Sequence, residues 1–269
     1  MKKLAGTAGS QILNGPSAFR IPHSTLRSSG SEPSMRMENK IVLVTGIGRE
    51  GQVGEAVATA LADAGATILA VDVIREAAEA RASALRNRGA RADAYACDLT
   101  NENAVRELAD AVSAKYANRL DALVHLAGGF AMSSVLEGGL DVWRRQLDIN
   151  LITAVLVTRA FLPLLRAARG TLVFFGSVAA LPGASVQNMA AYATAKGGVL
   201  TLMRAVAEEE RAHGVRANAL APSAIRTAAN EKSMGPQAQY VEREDVARTV
   251  LWLCSETSRP VTGQVVALG

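Results

Sequence analysis

From Lys40 onward, short apolar segments rich in β-branched residues alternate with longer segments of helical periodicity. This alternation is typical of βαβ units, in which parallel strands are joined by right-handed helical crossovers. We expect strands at IVLVTG, TILAVD, ADAYACD, DALVHLAG, GTLVFFG, VRANAL and QVVAL. We expect helices at VGEAVATALADAGA, in the alanine-rich segment ending near Arg88, and at Asn101 to Tyr116, Asp141 to Arg169, Ala190 to Ala212 and Arg243 to Ser255. The pattern predicts an α/β, doubly wound Rossmann fold with a seven-stranded, mostly parallel sheet and helices on both faces.

The chain has 269 residues, of which 49% are hydrophobic, and this suffices for one sizeable core. We therefore expect a single nucleotide-binding catalytic domain over residues 38–269. Residues 1–37 are rich in Ser, Gly and Ala, and we expect them to be a disordered extension without a catalytic role. A transit peptide, or a true start at Met35 or Met37, is the alternative explanation for that segment. We favour a cytoplasmic protein.

The formal net charge of +4 belongs to the N-terminal segment, because residues 1–36 contain five basic residues and one acidic residue. No basic run marks the remainder, so nucleic acid is not an expected partner. The apolar stretches are judged too short for a membrane span, and no membrane partner is expected. Cys97 and Cys254 lie far apart and are expected to be buried thiols in a reducing compartment. The three histidines form no ligand cluster, so no metal is expected.

Four glycines, Gly46, Gly48, Gly51 and Gly54, follow the first predicted strand and open the first helix. Small residues at this position let the backbone approach a pyrophosphate at the positive end of the helix. Gly48 and Gly54 could alternatively serve only as turn and packing residues. The strand-to-helix context favours a dinucleotide site.

Two aspartates end the next two predicted strands. Asp72 can accept hydrogen bonds from the adenosine ribose hydroxyls and would repel a 2′-phosphate, so NAD(H) is favoured and NADP(H) is the alternative. Arg49 and Arg75 complicate that choice, since either could reach a phosphate. Asp98 is expected to orient the adenine. For both aspartates, capping of the following helix is the competing interpretation.

Tyr192 and Lys196 are four residues apart on a predicted helix and therefore share one face. A tyrosine hydroxyl has a pKa near 10, so it exchanges protons poorly at neutral pH unless its anion is stabilised. We expect the Lys196 ammonium to supply that stabilisation and to make Tyr192 a usable acid and base. An unrelated tyrosine and lysine on a surface helix is the alternative.

Taken in order, TGIGREGQVG, Asp72, CDLT, LAGG, DIN, Ser177, YATAK and NALAPSAIRT resemble the short-chain dehydrogenase/reductase family from Lys40 to the C-terminus. The resemblance implies a catalytic tetrad of Asn150, Ser177, Tyr192 and Lys196. It also implies cofactor contacts from Ala127 and Gly128, from Pro222, and from Ile225 and Thr227 against the nicotinamide carboxamide. Lys196 would hold the nicotinamide ribose as well, and Asn150 would hold a water in a proton path. Simple backbone bonding by Asn150 and strand-end capping by Ser177 are alternatives.

Several positions depart from the family pattern. The glycine loop is two residues longer than usual, HLAG stands at His125 to Gly128 in place of NNAG, and PS replaces PG at Pro222 and Ser223. The loop spacing is similar to that of enoyl reductases, but their active-site tyrosine and lysine lie farther apart, so enoyl reduction is not predicted. Ser177 and Tyr192 are also slightly farther apart than usual.

The resemblance implies an NAD(P)(H)-dependent oxidoreductase that interconverts a carbonyl and a secondary alcohol. Candidate substrates are 3-oxoacyl thioesters, small ketones and related carbonyls. The segment after Thr227 is similar to that of dihydropteridine reductases, which suggests reduction of a quinonoid pteridine as an alternative. A non-catalytic dinucleotide-binding scaffold or redox sensor is a third hypothesis. Relatives commonly assemble through the two long helices, so we expect a homotetramer or homodimer. Ala131, Met132 and Met234 are candidates to line an apolar pocket.

Overall fold

The computed structural model describes residues 35–269. Residues 1–34, and with them most of the predicted extension, lie outside the described residues. Met37 is buried, and its amide donates to the carbonyl oxygen of Ala64 at 2.8 Å. The packed fold therefore begins slightly before residue 38.

The sheet is seven-stranded, and every neighbouring pair of strands is parallel. Its spatial order is β3-β2-β1-β4-β5-β6-β7, so the chain reverses its direction of winding between β1 and β4. The doubly wound fold predicted from the sequence is confirmed. The strands are Ile41–Thr45 (β1), Thr67–Asp72 (β2), Ala92–Ala96 (β3), Ala122–His125 (β4), Thr171–Phe175 (β5), Arg216–Pro222 (β6) and Val265–Leu268 (β7).

Eight α-helices connect the strands within residues 35–269. They are Val53–Asp63 (α1), Arg75–Asn87 (α2), Glu102–Lys115 (α3), Leu140–Leu147 (α4), Thr153–Ala168 (α5), Ala190–Glu209 (α6), Ala228–Met234 (α7) and Arg243–Cys254 (α8). A π-helical turn, Asp148–Ile152, joins α4 to α5. The single helix expected over Asp141 to Arg169 is thus interrupted by a change in hydrogen bonding rather than by a loop.

Two apolar cores lie on opposite faces of the sheet, because successive residues of a strand point to opposite sides. In β5, Leu172 and Phe174 pack with α3, α5 and α6, while Val173 and Phe175 pack with α1, α2 and α8. Burial of both faces explains why the strands are apolar without alternation. The three-layer arrangement leaves the carboxyl ends of the strands open for a site.

The helical stretch Leu140–Ala168 spans 29 residues and has a mean hydropathy of 1.7 in its most apolar window. By length and composition alone it could cross a membrane, so the expectation that no apolar stretch is long enough was wrong. Val157, Phe161 and Leu165 on its inner face are buried against the sheet. Only 39% of that window is buried within the chain. The exposed positions of the stretch include Ile152 but also Asp148, Arg159 and Arg166.

Candidate active site

The carboxyl edge of the sheet gathers the predicted site residues. The glycine loop follows β1, Asp72 ends β2, the LAGG run follows β4, Ser177 follows β5 and Pro222 ends β6. Since β1 and β4 are neighbours at the point where the winding reverses, a crevice opens between the loops that follow them. The topology therefore places these residues at one ligand-binding edge.

Two of the four glycines are required by close backbone contact. Gly46 has φ +67°, and a Cβ there would lie 2.9 Å from the Cα of Ala127. A Cβ on Gly54 would lie 2.8 Å from the Cα of Ile47. Neither backbone has room to yield, so these glycines allow the loop to approach both the LAGG run and the start of α1.

Asp72 joins the glycine loop to the end of β2. Its Oδ2 accepts the Gly48 amide at 2.8 Å, and its Oδ1 accepts the Ile74 amide at 3.1 Å. A Cβ on Gly48 would lie 2.8 Å from Oδ2. The residue capping α2 is Ile74, without a side-chain bond. Asp72 thus presents an anchored carboxylate at the site rather than acting as the helix N-cap.

The longer glycine loop is held by a charge pair that sequence reasoning missed. Gly51 has φ +70°, and its amide donates to Glu55 Oε2 at 2.5 Å. The buried Arg81 of α2 donates to Glu55 Oε1 at 2.6 Å. Glu55 lies in the first turn of α1, where a carboxylate also interacts favourably with the helix dipole. Its partner is 26 residues away, so local sequence carried no signal for it.

Asp98 does not cap the helix that follows it. Its Oδ1 accepts from the amide and the hydroxyl of Thr100, at 2.9 and 2.7 Å. The cap of α3 is Asn101, whose side chain accepts the amides of Asn103 and Ala104. The capping alternative is therefore wrong for Asp98, and the carboxylate lies exposed at the end of β3.

Tyr192 and Lys196 lie in the first turns of α6, and Ser177 lies opposite them at the end of β5. The Lys196 ammonium is buried, 5.9 Å from the centre of the Tyr192 ring, and donates to the Phe175 carbonyl at 2.8 Å. Burial lowers the pKa of Lys196 to about 8. Burial raises the pKa of Tyr192, and hydrogen bonding by Ser177 partly offsets that rise. The expected lowering of the Tyr192 pKa by Lys196 is thus not observed in this structure.

Ser177 lies near Tyr192 and also bonds to backbone. Its Oγ accepts the Ala179 amide at 3.2 Å and caps the short 3₁₀ turn Val178–Ala180. The same hydroxyl is close enough to Tyr192 to affect its pKa. The loop of residues 181–189 accommodates the additional length between Ser177 and Tyr192.

Asn150 lies in the π-helical turn, and its side chain bonds mainly to backbone, with a further contact to Gln146 Oε1 at 3.2 Å. Its Nδ2 donates to the carbonyls of Gln146 and Gly129, each at 3.0 Å, and its Oδ1 accepts the Gly129 amide at 3.2 Å. A Cβ on Gly128 would lie 2.5 Å from Oδ1 and 3.5 Å from Lys196 Nζ. Asn150 therefore fastens the LAGG run directly beside the buried lysine. π-turns of this kind are frequent at functional sites.

A second connection, also missed by sequence reasoning, runs through His125 at the end of β4. Its Nδ1 lies 3.2 Å from Thr45 Oγ1 and its Nε2 lies 3.2 Å from Thr153 Oγ1. The ring is buried, and desolvation, together with the nearby Lys196 charge, lowers the pKa of His125 to about 3. The partners are 80 and 28 residues away along the chain.

The segment Pro222 to Thr227 leaves β6 at the same edge. Ile225 pairs with Val241 in an isolated parallel bridge. Thr227 is buried and caps the seven-residue α7, accepting the Asn230 amide at 3.2 Å. Sequence reasoning described this region only as short, and the helix itself was not predicted.

Large apolar side chains are exposed around the Tyr192 edge. Phe130 contacts Tyr192 edge-on, with ring centres 5.0 Å apart and planes at 87°. Ten large apolar side chains are exposed in residues 35–269, and seven of them lie in residues 126–140, in the loop before α6 or at the end of α7. These seven are Phe130, Met132, Val135, Leu136, Leu140, Val186 and Met234. The loops after β4 and β5 are joined where the Ser133 amide donates to the Asn188 carbonyl at 2.8 Å.

The arrangement fits a dinucleotide. Gly46 and Gly54 form a cradle that side chains would fill, and the anchored Asp72 carboxylate provides acceptors at the end of β2. Within the described part of the chain, no group of three or more His, Cys, Asp or Glu residues is placed to hold a metal ion. Cys97 and Cys254 are buried and free.

Comparison with known proteins extends the similarity over the whole fold. A family model described as Enoyl-(Acyl carrier protein) reductase matches residues 46–268. The chain is 29% identical over 245 residues to the 3-oxoacyl-(acyl carrier protein) reductase FabG of Thermotoga maritima, covering 87% of this chain and 98% of that protein. It is 32% identical over 241 residues to the meso-2,3-butanediol dehydrogenase of Serratia marcescens, covering 85% and 92%.

Solved structures give the same result. The structure of 7α-hydroxysteroid dehydrogenase complexed with NADH and 7-oxo glycochenodeoxycholic acid matches with a TM-score of 0.80 and 26% identity. The match covers 87% of this chain and 94% of that chain. The similarity therefore includes the carboxyl edge and the loops that surround it.

Proposed function

The chain belongs to the short-chain dehydrogenase/reductase family of alcohol and carbonyl oxidoreductases that use a nicotinamide cofactor, and we propose that it interconverts an apolar carbonyl compound and its secondary alcohol with NAD(H). The observation that carries this proposal is the meeting of Tyr192, Ser177 and the buried Lys196 at the carboxyl edge of the sheet. No relative described above is a dihydropteridine reductase, and the pteridine alternative has no support.

The chain's own residues supply the proton chemistry. A bound nicotinamide supplies or accepts the hydride. Tyr192, whose pKa is raised by burial, holds its proton at neutral pH and donates it to the substrate oxygen during reduction. Ser177 donates a hydrogen bond to the same oxygen. Lys196, with a pKa of about 8, is mostly protonated at pH 7, and the resemblance assigns it the nicotinamide ribose.

Asp72 supports the preference for NAD(H). Both of its oxygens are held by backbone amides, so the carboxylate is fixed at the end of β2, where the resemblance implies contact with the adenosine ribose. Arg49 and Arg75 are exposed nearby in sequence and make no bond to Asp72 in the structure.

Fluorescence titration with NADH and NADPH tests this preference. We expect wild type to bind NADH at least about tenfold more tightly, a difference of about 1.4 kcal/mol. Asp72→Asn removes the charge at nearly constant volume and should reduce the preference for NADH over NADPH. Asp110→Asn, at an exposed aspartate of α3, is the matched control and should leave that preference unchanged. Tighter binding of NADPH by the wild type would contradict the assignment.

The exposed apolar side chains support an apolar substrate. Phe130 touches the ring that carries the proton-donating hydroxyl, so a substrate oxygen near Tyr192 brings its substituents against Phe130. The segment of residues 126–136 contains no charged residue, which disfavours an ionic group at this position. The structural relative was solved with an oxo-steroid acid, and the 3-oxoacyl reductase is named for an acyl compound, so both names point to substrates with large apolar portions.

A ketone series of increasing alkyl and ring size tests the substrate assignment. Phe130→Ala should raise KM about tenfold for the bulkier ketones and much less for the smallest. Leu136→Ala, at a more exposed site in the same loop, is the matched control and should leave KM unchanged. Equal effects of Phe130→Ala on small and bulky ketones would contradict an apolar contact at Phe130.

We further propose that a second copy of the chain packs against Leu140–Ala168. The exposed Ile152 and the partly buried Leu156, Ala160 and Leu162 offer apolar contacts on that stretch. Light scattering coupled to size exclusion should give a dimer or tetramer. A monomer at micromolar concentration would contradict this assembly.

A further inference from the structure

The hydrogen bonds around His125 determine which nitrogen carries its proton. Thr45 Oγ1 accepts the amides of Leu126 and Ala127, each at 3.1 Å. A hydroxyl has two lone pairs and one hydrogen, so with both lone pairs engaged its hydrogen is directed to the third neighbour, His125 Nδ1. That nitrogen must therefore be an acceptor. A neutral imidazole with an acceptor at Nδ1 carries its hydrogen on Nε2.

The other side of the ring agrees with this assignment. Thr153 Oγ1 donates to the Ile149 carbonyl at 3.0 Å, which leaves its lone pairs free to accept. His125 Nε2–H, 3.2 Å away, is its donor. Along the hydrogen-bonded chain from Thr45 through His125 and Thr153 to the Ile149 carbonyl, each group therefore donates to the next one. An imidazolium does not fit, because its Nδ1–H would face a hydroxyl whose lone pairs are both occupied.

These bonds form part of a closed ring around the LAGG run. Thr45 holds the first two residues after β4, and Asn150 holds Gly129. His125, through Thr153, connects Thr45 to the π-helical turn that carries Asn150. The ring encloses Gly128, whose Cα hydrogens lie next to Lys196. Displacement of any member changes the position of the loop against the catalytic lysine.

On this basis we propose that His125, fixed as the neutral Nε2–H tautomer, is a positioning residue that sets the LAGG run and Asn150 against Lys196. The proposal rests on the proposed function, because Lys196 is the group being positioned for proton transfer. Lys196 is also the charged group that acts on His125, and its like charge further opposes an imidazolium.

Matched threonine variants test the proposal in the full-length protein. Thr153→Val removes the acceptor for Nε2–H at constant shape, whereas Thr153→Ser keeps it. Thr158→Val is the control, since Thr158 is buried on the same helix and its hydroxyl has no hydrogen-bond partner in residues 35–269. We expect Thr153→Val to lower kcat about tenfold, with the Kd for NADH changed less than about threefold. Thr153→Ser and Thr158→Val should retain the wild-type kcat.

Nitrogen NMR of ¹⁵N-histidine-labelled protein reads the tautomer without turnover. The chain has three histidines, and loss of one signal in His125→Asn identifies the ring. We expect a protonated Nε2 and an unprotonated Nδ1 in the wild type. An Nδ1–H tautomer, or a wild-type kcat in Thr153→Val, would overturn the proposal. If the wild type has no NAD(H)-linked turnover, the proposed function fails. The NMR measurement of the His125 tautomer would still test the hydrogen-bond assignment, because it does not depend on turnover.

Discussion

Lys196→Met should stabilise the protein at neutral pH while removing a group that we propose takes part in catalysis. Burial lowers the pKa of Lys196 from 10.5 to about 8, so the folded state holds its proton less tightly than the unfolded state. At about 1.4 kcal/mol per pKa unit, that difference corresponds to roughly 3 kcal/mol of destabilisation at pH 7. Methionine fills a similar volume without charge. Loss of the bond to the Phe175 carbonyl costs about 1 kcal/mol, which leaves a net gain of about 2 kcal/mol.

The pH dependence separates this explanation from simple repacking. The cost of the buried ammonium is complete below pH 8 and disappears as the pH rises towards 10.5, because the folded pKa is the lower one. Wild type should therefore gain stability relative to Lys196→Met between pH 8 and pH 10.5. Above that range only the lost hydrogen bond remains, and the variant should be the less stable protein by about 1 kcal/mol.

Urea unfolding of both proteins at pH 7, 8, 9 and 10 measures the difference. Lys232→Met, at an exposed position on α7, is the matched control and should show little change at any pH. A Lys196→Met variant that is less stable than wild type at pH 7, or a difference that does not vary with pH, would refute the argument from a buried charge.

Three further outcomes follow from contacts elsewhere in the structure. Gly46→Ala should lower the free energy of unfolding in urea by more than about 3 kcal/mol, and Gly183→Ala by only about 1, because both have positive φ but only a Cβ on Gly46 would meet backbone atoms. Equal losses would contradict the close backbone contact at Gly46. Arg166→Met should destabilise the protein at pH 7, because it leaves the Glu210 carboxylate without its ion-pair partner. Since that pairing lowers the pKa of Glu210, the destabilisation should shrink below pH 4.5, and a cost independent of pH would contradict it. Because the pKa of His125 is lowered to about 3, wild type should lose about 1.4 kcal/mol of stability per pH unit as the pH falls below 6.5, and His125→Asn should lack this loss. Stability that falls equally with pH in both proteins would contradict the burial of a neutral ring.

The architecture was predictable because the segments that form both cores have recognisable patterns in the sequence. Strands buried on both faces appear as continuous apolar segments, and the helices between them have regular periodicity. The alternation of strand and helix segments was enough to predict a parallel sheet. The carboxyl edge, and therefore the places of Asp72, Ser177 and Tyr192, followed from that order.

Features that depend on long-range contacts were not predictable. The pKa of Tyr192 rises because neighbouring elements exclude water, and the spacing to Lys196 does not report that burial. The π-helical turn changes the backbone bonding at Asn150 without changing the side-chain pattern. His125 and Arg81 act through partners many residues away, so each looked like an ordinary residue of its strand or helix.

The central claim is that Tyr192 gives a proton to a carbonyl as NADH gives a hydride. Its most direct test is a single-turnover reaction with NADH deuterated at C4 and an apolar ketone, analysed for deuterium in the product alcohol by mass spectrometry. We expect the wild type to transfer the label, and Tyr192→Phe to bind NADH within about threefold of wild type yet transfer it at least about a thousandfold more slowly. Label transfer at the same rate in both proteins would contradict the account.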